Sequence, residues 1–219
     1  MIAASTLDFL KQLKKHNNRD WFEKHRQRYL DAKENHESFI ENLLPKLVKV
    51  QPDYHSLGIK DVTFRIYRDV RFSKNKDPYK TNFGAGFNKG GKKMIQAGYY
   101  LHLEPGASFV ASGIWMPPAE ELRKIRQEIA FNSKEFEKIL LQKDFKKWYG
   151  QLDQSFSLKS APRGYEKDHP YIHFIKMNSY IVSHSFSDQV VLKPSFEKEV
   201  LDAVKIGKAF VGFINRSFD

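Results

Sequence analysis

Apolar residues at helical spacing mark the N-terminal part of the chain. Leucines within residues 7–13 predict a short first helix with Thr6 as its N-cap. Asn18 is expected to cap a second, long helix whose apolar stripe recurs every three or four residues. Pro45 is expected to kink or end that helix near residues 42–44, because proline removes a backbone hydrogen bond. The stripe consists of Phe22, His25, Tyr29, Ala32, His36, Phe39 and Leu43.

The middle of the chain changes to the two-residue alternation of β-strands. The connections between the alternating segments have turn composition, as at Asn88–Lys92 and Pro105–Gly106. Because such short connections join neighbouring strands, they favour an antiparallel meander. The predicted strands cover 62–72, 81–88, 96–104 and 107–115, with a further strand at 180–186.

Helix signals return after the strands. A proline pair followed by acidic residues predicts a helix start at 117–121. Asn132 opens another helix, and Pro194 opens a C-terminal one. We therefore expect an α+β fold, with a four- to five-stranded antiparallel meander sheet covered mainly on one face by N- and C-terminal helices. A single domain, 1–219, is expected, comprising a helical segment 1–50, a central sheet 60–116 and a helical segment 117–219.

The segment from Phe64 to Phe83, here called the basic motif, combines strand-like alternation with a high density of cations. At period two, Arg68 falls on the apolar face, beside Ile66 and Val70. A buried guanidinium without a partner costs several kcal/mol, so Arg68 is either a structural ion-pair anchor or the floor of an anion site. The basic side chains are Arg65, Arg68, Arg71, Lys74, Lys76 and Lys80.

Net charge is concentrated in the same region. The chain carries a formal charge of +11, and residues 51–100 contribute +6 of it, with ten basic against four acidic side chains. Turn composition at 73–78 predicts a loop that presents Lys74 and Lys76. This localised excess favours an anion-facing surface over diffuse basicity.

Several classes of site are disfavoured by what the chain lacks. The absence of cysteine excludes disulfides and cysteine-ligated metals and suits a reducing, cytoplasmic environment. No stretch approaches the roughly 20 apolar residues of a spanning helix, so no membrane association is expected. His169 and His173 have the i, i+4 spacing of metal ligands but no fitting carboxylate, so neither a metal nor a cofactor is predicted. His25 and His36 are interpreted as core or boundary histidines with satisfied hydrogen bonds.

The sheet offers one acid–base candidate. Tyr100, His102 and Glu104 alternate with buried-type residues and are expected on the polar face of one strand. At a spacing of two residues, His102 and Glu104 are expected about 7 Å apart, which is beyond hydrogen-bond distance. The sequence therefore disfavours an acid–base pair at this place.

Five segments of the chain resemble one known family. The family comprises bacterial and fungal conserved hypothetical proteins, a domain of unknown function (number 2461), and the resemblance implies no activity. It extends from near the N-terminus to about residue 180. The matching segments are Asn17–Phe22, Arg65–Lys74, Asp77–Asn82, Gly113–Pro117 and Ala161–Tyr165. The fourth is followed by Leu122 and Ile125–Arg126, and the last by Lys167–Pro170.

Three functions stay open from the sequence. The first is binding of a phosphate-bearing anionic ligand, including nucleic acid, through the basic motif. The second is an enzyme for a small anionic substrate, with arginine clamps and Asp69, Tyr79 or His169 as proton-transfer groups. The third is an internal Arg/Asp network with an unassigned protein partner. The candidate ligand-binding residues are Arg65, Tyr67, Arg68, Asp69, Arg71, Lys74, Lys76, Tyr79, Lys80, Arg163 and His169; no catalytic residue is assigned.

Overall fold

The computed structural model describes residues 1–219 and contains one open sheet of four antiparallel strands. Neighbours in the sheet follow chain order, so the sheet is a meander. The α+β class and a four-stranded sheet are confirmed, whereas a fifth strand does not form. The strands are β1 (Phe83–Phe87), β2 (Gly98–Leu103), β3 (Ser108–Ile114) and β4 (Tyr180–Phe186).

Ten α-helices precede, separate and follow the strands along the chain. None of them is long and apolar enough to cross a bilayer. Three short 3-10 turns occupy Pro52–Tyr54, Gly91–Lys93 and Arg216–Phe218. The helices are α1 (Ala4–Lys15), α2 (Arg19–Lys24), α3 (Arg26–Val50), α4 (Ile59–Val62), α5 (Ala119–Phe131), α6 (Ser133–Leu140), α7 (Lys143–Tyr149), α8 (Ile172–Ile175), α9 (Asp188–Val191) and α10 (Phe196–Asn215).

The chain divides into two compact units, each assembled from three segments. The first unit comprises residues 1–93, 100–110 and 185–202. The second comprises residues 94–99, 111–184 and 203–219. The expected arrangement as a single domain stays a prediction.

The N-terminal helices differ from the prediction at three points. Ala3 occupies the N-cap of α1, while the Thr6 hydroxyl instead donates to Asn35 Oδ1 at 2.7 Å. The predicted long helix is broken at His25, which separates α2 from α3. Pro45 lies inside α3, which continues to Val50. Burial of leucines on both sides of Pro45, at about 1.5–3 kcal/mol each, offsets the roughly 3 kcal/mol that an interior proline costs.

The predicted strand at 62–72 is wrong. Helix α4 takes up its first residue, and beyond α4 the segment makes only two isolated bridges to other residues. Of the apolar residues in the alternation, Ile66 is buried but Phe72 is 95% exposed. An alternating pattern forms a half-buried strand only where one face meets a core, and this segment meets the core at one end only.

Two glycines allow close packing in the second unit. Gly113 has φ +122°, and a Cβ added there would lie 1.9 Å from the Tyr180 carbonyl oxygen. A Cβ on Gly207 in α10 would lie 2.6 Å from Ser112 Oγ. That hydroxyl donates to Tyr149 Oη at 2.8 Å, and Tyr149 donates to the Ala203 carbonyl at 2.7 Å. Both positions therefore require the smallest residue.

Candidate functional site

Antiparallel backbone hydrogen bonds join the two ends of the basic motif. Arg68 N donates to the Pro78 carbonyl at 2.9 Å, and Lys80 N donates to the Ile66 carbonyl at 2.8 Å. We call residues 63–68 and 78–85 the paired arms, and residues 69–77 between them the basic loop. The arms hold Tyr67 and Tyr79 opposite each other in an isolated bridge.

Asn17, just before α2, attaches the paired arms to the helical part of the first unit. Its Nδ2 donates to the Tyr79 carbonyl at 2.9 Å, while its Oδ1 accepts from Tyr79 N at 3.1 Å. The amide therefore pairs with both polar groups of one backbone residue, as a neighbouring strand does. Asn18 Oδ1 accepts from Trp21 N at 2.9 Å, which confirms the predicted cap of α2.

Aromatic stacking fixes the tyrosines of the arms. The Tyr79 ring lies parallel to the buried Phe22 ring, with centroids 3.9 Å apart and an angle of 11° between planes. The Tyr67 ring is 5.4 Å from that of Tyr79 and 5.9 Å from that of Phe22. These contacts hold both phenol groups in defined positions beside α2.

A pocket of about 370 Å³ opens between α2 and the paired arms. Arg68 lines it with a side chain that is 26% exposed. Its NH2 reaches Ser73 Oγ at 3.4 Å, and its NH1 lies 4.0 Å from Asp77 Oδ2. Both distances are at the outer limit for such contacts, so the guanidinium keeps donors for a ligand. The lining consists of Arg19, Glu23, Tyr67, Arg68, Val70, Pro78 and Tyr79.

Helix α2 contributes one charge of each sign to the pocket. Arg19 makes no ion pair or hydrogen bond within the protein, whereas Glu23 Oε2 accepts from Arg26 NH1 at 3.3 Å. Burial raises the pKa of the Tyr79 phenol, and the nearby Tyr67 and Glu23 raise it further. Tyr79 therefore keeps its proton at neutral pH and can donate a hydrogen bond. The pocket can bind acceptor groups through its arginines and a donor group through Glu23.

The cations of the basic loop have partners within the loop. Arg71 donates to both carboxylate oxygens of Asp69, at 2.9 and 2.6 Å. Hydrogen bonds from the Arg71 side chain and backbone lower the pKa of Asp69, so the pair stays charged. Lys76 Nζ donates to the Val70 carbonyl at 3.1 Å. Lys74 is exposed without a partner, so it is the loop cation that remains free.

Lys80 and Arg65 lie on the arms but do not line the pocket. Lys80 Nζ lies 5.4 Å from the centre of the Phe64 ring, and Lys92 Nζ lies 5.9 Å from it. Burial lowers the pKa of Lys80, and the positive charges of Arg65 and Lys92 lower it further. Lys80 and Lys92 form a second positive group around Phe64, and Arg65 adds positive charge near Lys80.

Arg163 and His169 belong to the second unit, in the connection between α7 and α8. Arg163 is exposed, and His169 Nδ1 accepts from Tyr171 N at 3.2 Å. Because α8 begins only at Ile172, His169 and His173 do not share a helical face. No group of three or more His, Asp or Glu side chains in residues 1–219 could hold a metal ion.

Sequence reasoning missed part of the pocket. No sequence pattern assigns Arg19 or Glu23 to a site; Arg19 lies in the segment Asn17–Phe22 that resembles the family, and Glu23 directly follows it. Their place in the pocket depends on the pairing of Asn17 with Tyr79, 62 residues away. The resemblance itself was the available signal, since it linked this segment with both arms of the basic motif.

Comparison with known proteins identifies a family without assigning an activity. No curated protein and no solved structure matches the chain. A model of conserved hypothetical proteins, DUF2461, matches residues 5–213, which include both the pocket and the sheet. The chain therefore belongs to the DUF2461 family of conserved hypothetical proteins.

Proposed function

We propose that the protein binds a phosphate-bearing anionic ligand in the pocket between α2 and the paired arms. One observation carries the proposal. Two arginines, Arg19 and Arg68, line a pocket of about 370 Å³ without a close ion-pair partner, and two tyrosines line it with them. A guanidinium offers a planar fork of donors that matches the oxygens of a phosphate group.

The pocket also restricts the ligand. Its volume is within the range of small-molecule sites, roughly 300–1,000 Å³, and accommodates one phosphate-bearing unit such as a nucleotide. Glu23 accepts hydrogen bonds, so the ligand carries a donor, such as a sugar hydroxyl, beside its phosphate. If the ligand is a nucleic acid, one unit enters the pocket and the exposed Arg65 and Lys74 contact adjacent phosphates.

Calorimetric titration separates these two sources of phosphate. The probes are adenosine monophosphate, a 5′-phosphorylated single-stranded oligonucleotide and the same oligonucleotide without the 5′-phosphate, each at 50 and 300 mM salt. A small-molecule pocket binds the first two, with weak salt dependence. A nucleic-acid surface binds both oligonucleotides and loses affinity steeply with salt, because binding releases counterions.

Variants at the two arginines test the site itself. Arg19→Ala and Arg68→Ala are each expected to weaken binding roughly 10- to 100-fold, since hydrogen bonds to charged groups contribute about 1.5–3 kcal/mol. Lys134→Ala, on the exposed surface of α6, is the charge-matched control and should bind as the wild type does. Equal affinities for all four proteins, or no binding of any probe at 50 mM salt, would contradict the proposal.

A further inference from the structure

Three polar side chains form a line along β2. Tyr100, His102 and Glu104 alternate with the buried Leu101 and Leu103, so they lie on the opposite face of the strand. The side chains of His102 and Glu104 are each 16% exposed. These groups therefore lie near the surface of the first unit while remaining partly shielded from water.

Hydrogen bonds connect the three groups in order. Tyr100 Oη lies 3.3 Å from His102 Nδ1, and His102 Nε2 lies 3.1 Å from Glu104 Oε2. The expectation that His102 and Glu104 are too far apart for a hydrogen bond is therefore wrong. It rested on the spacing of backbone positions, whereas long side chains on one face of a strand lean toward each other.

The partners of Glu104 assign the histidine tautomer. Glu104 Oε1 accepts from Lys14 Nζ at 3.1 Å and from Thr81 Oγ1 at 2.9 Å. Burial opposes ionisation of the carboxyl, but the hydrogen bonds from His102, Lys14 and Thr81 outweigh it and lower the pKa of Glu104. An ionised carboxylate only accepts, so His102 Nε2 carries the proton. In the neutral ring, Nδ1 is then the acceptor for the Tyr100 hydroxyl.

The surroundings hold this line in place. The Phe109 ring stacks on the His102 ring, with centroids 4.7 Å apart and an angle of 13°. Gly84 on β1 leaves room for the phenol, because a Cβ there would lie 2.5 Å from Tyr100 Oη. The tyrosine hydroxyl therefore reaches His102 only because a glycine lies beneath it.

The geometry points to a proton-transfer site at Tyr100, His102 and Glu104, serving an anionic substrate that carries an ionisable hydroxyl or thiol group. In the step, the substrate O–H or S–H bond breaks and its proton passes to Tyr100 Oη. The phenol proton passes at the same time to His102 Nδ1, and the resulting imidazolium is stabilised by Glu104. Tyr100 and His102 are the catalytic residues, and Glu104 is a positioning residue.

The charge of the substrate follows from the neighbouring cations. The Phe64 ring meets the Tyr100 ring edge-on at 6.0 Å, and Lys80 and Lys92 lie near the same Phe64 ring. Lys92 Nζ also donates to the Lys60 and Thr63 carbonyls, both at 2.6 Å. The positive charge of Lys80 and Lys92 around the ring that borders Tyr100 favours a substrate with a negative group. The site does not line the arginine pocket, so the inference stands independently of the proposed ligand there.

Covalent labelling tests the activation of Tyr100. With benzenesulfonyl fluoride, a bond forms between the phenol oxygen and sulfur, fluoride leaves, and His102 takes the phenol proton. Tyr67, which is 43% exposed and has no histidine partner, is an internal control read by the same peptide mass spectrometry. Burial and the charge of Glu104 raise the pKa of Tyr100, against a hydrogen bond from Asn82 that lowers it, so labelling of Tyr100 should depend on His102 taking the phenol proton. His102→Gln should slow labelling of Tyr100 by about 10-fold or more and leave Tyr67 unchanged.

Nitrogen NMR of the unmodified protein gives a second test that needs no variant. Long-range nitrogen–proton spectra at neutral pH should show His102 as the Nε2–H tautomer, and Glu104→Gln should weaken that preference and slow Tyr100 labelling. Either of two results would overturn the inference: an Nδ1–H tautomer in the wild type, or equal Tyr100 labelling in the wild type and His102→Gln.

Discussion

The paired arms and the basic loop are adjacent in sequence and carry three cations each, but they are held in different ways. The arms are held from outside by Asn17 and by the ring of Phe22. The loop is held by contacts among its own residues, such as the bidentate pair between Asp69 and Arg71. Of the arm cations, Arg68 faces the open pocket, whereas two of the three loop cations are bound within the loop.

The positive charges of the basic motif have two different roles. The concentrated charge predicted a basic surface, yet Arg71 and Lys76 already have partners within the loop. The loop thus resembles the internal Arg/Asp network that the sequence left open, while Arg68 retains donors for a ligand. Position relative to the core, and not the number of cations, separates the two roles.

Removing the α2 ring that anchors the arms, and separately a ring in the loop, gives the largest expected difference in stability. Phe22→Ala should destabilise the protein by about 3–5 kcal/mol, because Phe22 is buried against Tyr79 and its loss leaves a cavity. Phe72→Ala, in the loop, should change stability by less than about 0.5 kcal/mol, because the ring is exposed. Urea unfolding measures both; similar losses in the two variants would remove the distinction between arms and loop.

Acid should lower the stability of the folded protein through His36. This residue is 2% exposed and stacks on Phe83, at the end of the basic motif, with centroids 5.1 Å apart. It lies on the predicted apolar stripe, but its Nε2 has no hydrogen-bond partner, so the expectation of a satisfied histidine is wrong. Burial lowers the pKa of His36 to about 4, and the charge of Lys33 lowers it further.

The direction in which pH changes stability follows from the different pKa of His36 in the folded and unfolded states. The unfolded chain protonates this histidine near pH 6.5, whereas the folded protein does so only near pH 4, so acid favours unfolding. Stability should fall by roughly 3 kcal/mol between these pH values through His36 alone. Urea unfolding at pH 7, 5.5 and 4.5 should show this loss in the wild type and a smaller one in His36→Phe. His55→Phe, at an exposed histidine, is the control; equal slopes in all three proteins would refute the assignment.

The asparagine that anchors the arms and an asparagine within the loop give a smaller difference in stability. Asn17→Ala removes both side-chain hydrogen bonds to the Tyr79 backbone and should cost about 1–3 kcal/mol. Asn75→Ala removes one exposed bond, from Asp77 N to Asn75 Oδ1, and should cost less than about 0.5 kcal/mol. Thermal unfolding compares the two. A larger loss for Asn75→Ala would mean that the loop, and not α2, anchors the motif.

The fold class could be predicted because the alternating segments have core partners. Each of the four observed strands lies within a predicted one, and the turns between the first three have the expected composition. The strand predicted at 62–72 does not form, because its apolar residues near the basic loop have no core to pack against. The helix does not end at Pro45, because burial of the leucines around it outweighs the local cost of proline. The break at His25 was missed because the apolar spacing runs through that position.

The candidate site could be predicted only in part. Tyr67, Arg68 and Tyr79 were predicted and do line the pocket. Arg19 and Glu23 were missed because a contact between segments some 60 residues apart leaves no periodicity in either segment. Residue spacing along β2 does not predict the hydrogen bond between His102 and Glu104, because the length and lean of side chains do not appear in it.

The most direct test of the central claim is a phosphate titration followed by NMR of the arginine Nε–H groups. It reads the pocket and the loop in one sample, because Arg19 and Arg68 line the pocket and Arg71 lies in the loop. Shifts of Arg19 and Arg68 with a common dissociation constant, and none of Arg71, are the predicted result. A titration in which Arg71 shifts while Arg68 does not would place anion binding in the basic loop and contradict the account.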